Sequence, residues 1–159
     1  MTKVLLSLHV LAAIIAIGPI TVAASMFPAA LRRANSPAVL HTLHRICRVY
    51  AALGILVPLF GLATASTLGV LTDPWLLTSM ALTAAAAAVL TFAILPRQAR
   101  ALPTVTQTTP TQPDPVPAGP HPADANLAAR LGMLTGIFNL LWATVVVLMI
   151  VRPGSTTGA

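Results

Sequence analysis

Acidic residues are nearly missing: among 159 residues the only carboxylates are Asp73, Asp114 and Asp124, against nine Lys and Arg. None of the three lies inside an apolar run, so the groups that relay protons or coordinate cations across a bilayer are absent, which argues against an ion-coupled carrier or pump. Cysteine occurs once, as Cys47, which excludes an intrachain disulfide. Charged residues make up only 8% of the chain and aromatics 4%. The net charge of +6 is therefore not the dense basic and aromatic face of a nucleic-acid binder, and nucleic acid is not an expected partner. There is also no Gly-rich phosphate loop, no His/Cys pattern of zinc spacing, and no Ser or Thr paired with a His and an acid at one depth. An enzyme is not expected.

What is present is apolar: 57% of residues are hydrophobic and the mean hydropathy is +0.87. Four runs carry no Asp, Glu, Lys or Arg: Val4 to Leu31, Val49 to Thr72, Pro74 to Pro96, and Leu131 to Val151. A hydrocarbon core of ~30 Å needs ~20 helical residues, so each run can span. Their Leu, Ala, Ile and Val lack the period-2 alternation of a membrane barrel. The expected fold is an all-α membrane protein, a bundle of four transmembrane helices with up-down topology. The first run resembles a secretory leader, with Lys3 ahead of it and small residues at Val22 to Ser25. It continues to Leu31, well past a leader's apolar core of about 7–15 residues, and is read as a span.

Seven arginines, Arg32, Arg33, Arg45, Arg48, Arg97, Arg100 and Arg130, fall on one side, with Lys3 and Arg152 on the other. The positive-inside rule places both long loops in the cytoplasm and both termini outside. With Arg over Lys and abundant Ala as in a GC-rich bacterial genome, the expected location is a bacterial plasma membrane. Residues 1–95 hold three spans with a basic loop at 32–48, and residues 124–153 the fourth, before a tail at 154–159. Between them, residues 96–123 are read as a disordered cytoplasmic loop, since eight of the 14 prolines lie there. Pro96 and Arg97 are expected to end the third span. Ser36 and Asp73 are expected caps, each ahead of a proline suited to the first helical position. Pro58, between Gly54 and Gly61, should bend the second span and admit a close neighbour.

Three groups of residues could carry function. His9 is the one ionisable side chain set inside a span. One reading pairs its neutral imidazole with a hydroxyl such as Thr64, Ser66 or Ser79; the other makes it a ligand to copper or haem, with Met80 and Met149 at similar depth. His41 and His44 lie toward the opposite face, so a bis-histidine haem at His9 is disfavoured. Met26, Cys47, His44 and Met133 make up a second soft-ligand level toward the inner side. At 100° per residue, His41, His44, Arg45 and Arg48 share a stripe opposite Val39, Leu43, Ile46 and Tyr50. The basic stripe suits lipid headgroups, a phosphorylated ligand or an acidic partner. Gly132 and Gly136, with Asn139 one turn on, have the small-xxx-small spacing that lets helix backbones touch, within the bundle or in a homo-oligomer.

Several of these segments together resemble a family: Leu8-His9-Val10-Leu11-Ala12-Ala13 with Gly18, Phe27-Pro28, Arg45, Pro74-Trp75-Leu76, and Met149-Ile150-Val151-Arg152-Pro153. They resemble an uncharacterised bacterial four-helix integral membrane family, domain of unknown function 2269, and more loosely the copper-resistance D-type membrane domains. Arg152 stands where that pattern more often has Lys, and the Pro-rich loop looks like an addition. The resemblance implies four helices and no assigned activity. The expected role is non-catalytic: an accessory or scaffolding subunit, or a self-associating bundle with the bilayer and a membrane protein as partners and no cofactor. The alternative is copper or haem handling at His9.

Overall fold

The computed structural model describes residues 2–33, 36–102 and 122–154, with the side chains of 122–124 excepted. Most of the proline-rich segment, Asp114, the Asp124 side chain and residues 155–159 lie outside the described residues. Six α-helices account for most of the rest: α1 (Thr2–Arg32), α2 (Pro37–Leu53), α3 (Leu56–Leu68), α4 (Pro74–Ala88), α5 (Leu95–Ala101) and α6 (Pro122–Val151). A π-helical stretch, Val89–Ile94, joins α4 to α5. Among the described residues there is no strand. α1, the α2–α3 pair, the α4–π–α5 rod and α6 are the four helices long and apolar enough to cross a membrane. The protein is an all-α membrane bundle.

The second span breaks at Gly54–Ile55, three residues ahead of Pro58. Pro58 has no N–H for the Gly54 carbonyl, which is met at shorter range by Val57 N–H at 3.1 Å. α3 ends on Gly69, whose φ of 71° takes the left-handed conformation. There Gly69 N–H reaches Ser66 O and Val70 N–H reaches Ala65 O, the Schellman closure in which glycine avoids a Cβ penalty. Pro37 and Pro74 do open their helices, but neither Ser36 nor Asp73 caps with its side chain. The Asp73 carboxylate instead accepts the Trp75 Nε1–H at 3.0 Å.

Pro96 does not stop the third span as the sequence suggested. The chain loosens into the π stretch and continues through Pro96 to Ala101. A π turn bonds i to i+5, as Leu95 N–H to Leu90 O does here, so a carbonyl that Pro96 cannot serve has the following N–H within reach. The Arg97 guanidinium donates to Ala93 O at 2.8 Å and satisfies another carbonyl of the stretch. Residues 96–101 therefore belong to the bundle and not to the loop.

α1 is the central helix. It packs on α2, α3 and α6, while α4 packs on α6 and α5 returns to α2. The main core lies in the half of the bundle where Arg32, Arg33 and the start of α2 gather: Ile20, Ala24 and Phe27 of α1 meet Leu43 and Cys47 of α2, Ile94, and Leu131 and Phe138 of α6. The other end holds a smaller cluster of Ala65, Trp75 and Leu76, with Met149 packed against it. There the Arg152 guanidinium sits over the Trp75 ring, 5.6 Å from its centre. Arg152→Ala should cost about 0.5–1 kcal/mol for an exposed cation–π contact. Thermal unfolding in detergent checks this, and an unchanged midpoint would mean that the contact contributes nothing.

Candidate functional site

His9 does not pair with a hydroxyl. Its Nδ1 lies 2.9 Å from the carbonyl oxygen of Val57, and since a carbonyl only accepts, Nδ1 carries the hydrogen. Gly61 makes the approach possible. Val57 and Gly61 are one turn apart on the same face of α3, and the imidazole lies where a Gly61 side chain would be: a Cβ built there would be 3.0 Å from His9 Cε1 and 3.2 Å from Nδ1. Thr64 and Ser79, the expected partners, donate to Phe60 O and Trp75 O of their own helices, and Ser66 to Ala63 O.

This tautomer leaves Nε2 with its lone pair, the arrangement of a metal-ligating histidine whose other nitrogen is held by a carbonyl. The expected co-ligands differ in burial. Met149 packs against Ala65, Trp75 and Leu76, whereas Met80 is exposed. Met26 and Met133 are also exposed, and Cys47 is buried against Gln98. Among the described residues no three His, Cys, Asp or Glu side chains could hold a metal together. A copper or haem centre at His9 would therefore need methionine sulfur for its further protein ligands.

The basic end is more organised. His41, His44, Arg45 and Arg48 of α2 line one open groove of about 770 Å³, with Ala99 of α5 and Leu102 just past its end as the other wall. They do not form the even stripe expected. The buried face of α2 is Leu40, Leu43, His44 and Cys47, so His44 points into the bundle while Arg45 and Arg48 stay exposed and Val39 is exposed too. The cause is α5. Gln98, fully buried on it, accepts the His44 Nδ1–H at 3.2 Å and donates to Cys47 Sγ at 3.7 Å. A sequence reading that ends the third span at Pro96 has no residue to face His44. His41 is half-buried, and its Nε2 is enclosed with no hydrogen-bond partner among the described residues.

On α6, Leu131, Thr135 and Phe138 face the core, and Thr135 donates to Ala24 O at 3.4 Å. Gly132 and Gly136 lie to one side, and a Cβ at either would meet nothing within 4 Å. They are not spent on packing inside the bundle. Asn139 Nδ2 donates to Ser25 Oγ of α1 at 3.3 Å, and Asn139 Oδ1 is enclosed without a partner among the described residues.

A family model described as a predicted integral membrane protein (DUF2269) matches residues 3–153. No curated protein and no solved structure matches the chain.

Proposed function

The chain belongs to the DUF2269 family of predicted integral membrane proteins, and from that premise we propose a non-catalytic protein that associates with a second copy of itself through the Gly132–Gly136 face of α6. The observation that carries this reading is the open space at both glycines beside Asn139. In lipid, small residues let two backbones touch and a polar side chain gains from a partner. A two-fold pairing would bring each α6 against its copy. The basic end faces the cytoplasm of a bacterial plasma membrane in this reading, by the positive-inside rule.

Absence of catalysis is supported by where the hydroxyls go. Ser7, Thr64, Thr78, Ser79, Thr83, Thr91 and Thr144 each donate to the carbonyl one turn earlier, so none of them is paired with a base that could activate it.

Gly132→Leu with Gly136→Leu should weaken association about ten-fold or more, while the bundle stays folded because both added side chains enter open space. Subunit counting by photobleaching in dilute vesicles measures it. An unchanged monomer fraction would sink self-association, and a monomeric wild type that co-purifies with another membrane protein would assign an accessory role instead. Copper or haem handling keeps one point in favour, the free Nε2 of His9. Metal analysis and a visible spectrum of purified wild type and His9→Ala test it, and identical results for the two would end that alternative.

A further inference from the structure

We propose that the groove between α2 and α5 binds one anionic phospholipid, its phosphate held by Arg45 and Arg48 and its first methylenes laid along Val49, Ala52 and Leu102. His41, Arg45, Arg48 and Ala52 follow one another at i, i+4, i+7 and i+11 and form one ridge of α2. That ridge is ~16 Å long at 1.5 Å per residue. It changes character along its length: two guanidinium groups and an imidazole lie toward the helix start, and a small apolar residue lies at the membrane end, flanked by Val49. A soluble phosphate would use only the first half. An amphiphile with a negative head and a hydrocarbon tail uses both.

The groove's charge is of one sign. Among the described residues no carboxylate lines it, and the one described carboxylate side chain, Asp73, is engaged with Trp75 at the other end of the bundle. Arg45 and Arg48 are exposed, and a guanidinium presents a planar fork that matches phosphate oxygens. His41, half-buried, lines the groove beside them. Beneath them the His44–Gln98–Cys47 contacts fix α5 against α2 and hold the groove open at a set width. Its volume of about 770 Å³ lies within the ~300–1,000 Å³ of ordinary small-ligand pockets, enough for a headgroup and the start of a chain.

The test is native mass spectrometry of the full chain released from micelles doped with phosphatidylglycerol or phosphatidylcholine. Wild type should retain one phosphatidylglycerol in preference to phosphatidylcholine. Arg45→Gln with Arg48→Gln should retain it about ten-fold less or weaker still, from ~1 kcal/mol per basic residue near an anionic headgroup. Arg32→Gln with Arg33→Gln removes the same charge at the same end outside the groove and should leave retention unchanged. Equal losses in the two double variants would reduce the effect to general charge attraction and overturn a built site. Equal retention of the two lipids would overturn it as well. Inorganic phosphate at millimolar concentration should not displace the lipid. Displacement by phosphate, or by an acidic peptide, would assign the groove to a soluble anion or a protein partner and overturn the lipid reading.

Discussion

Gly61→Val should unfold the protein at a markedly lower temperature than wild type, by an amount corresponding to about 3 kcal/mol. The first Cβ atom already falls 3.0 Å from His9 Cε1, closer than non-bonded carbons tolerate. A free side chain would swing away, but the ring is tethered by its Nδ1–H to Val57 O, on the very helix that carries the new side chain. Moving the ring therefore breaks that bond, which contributes about 0.5–1.5 kcal/mol. Leaving it in place forces overpacking of about 1–3 kcal/mol. Alanine is the weaker test, because replacing a helical glycine returns about 1 kcal/mol of propensity that offsets part of the clash. Valine adds bulk and loses most of that gain through its β-branch. The cycle with His9→Ala identifies the cause. Once the imidazole is gone, Gly61→Val should cost less than half as much, and equal costs in the two backgrounds would place the strain elsewhere.

The reasons that part of this site was legible and part was not are physical. Runs without charge mark spans directly, because an unpaired charge in hydrocarbon is costly; all four spans follow from them. The bend in the second span and its close neighbour followed from Pro58 and the glycines on either side. The partner of His9 did not, since the acceptor is a main-chain carbonyl and every residue carries one. Only the absence of a side chain at Gly61 marks which carbonyl is uncovered. The misplacement of His44 traces to Pro96. Proline inside a helix usually ends it, and nothing in the residues Val89–Ile94 announces the π turns that let the helix go on. With α5 unseen, the four basic residues of α2 formed a stripe, and the direction of each was decided instead by Gln98. Gly132 and Gly136 were visible by spacing alone, but spacing does not distinguish a contact within the bundle from one with a second copy. The open space beside them bears on that choice.

Gln98→Ala is the other large effect, and it reports on the joint that shapes the basic end. Gln98 is fully buried and joins two buried groups, His44 and Cys47. Its truncation leaves the His44 Nδ1–H without an acceptor, at about 1–3 kcal/mol, and opens a cavity whose cost rises by ~24 cal/mol per Å³. Together these come to about 3 kcal/mol, far above the ~0.6 kcal/mol average coupling of a polar pair between membrane helices. The excess arises because one partner stays behind. Gln98→Leu fills most of the volume and should cost about half as much, and adding His44→Leu should recover most of the remainder, since replacing both partners by apolar groups of similar size is close to neutral. Cys47 supplies a local readout. It is the chain's only thiol and is inaccessible in the folded protein, so its maleimide labelling in mild detergent should be slow in wild type and about ten-fold faster or more in Gln98→Ala, as the joint opens with a free energy lower by at least ~1.4 kcal/mol. Labelling that stays slow while the melting temperature falls would mean that Gln98 supports the bundle by some route other than closing α5 over His44 and Cys47.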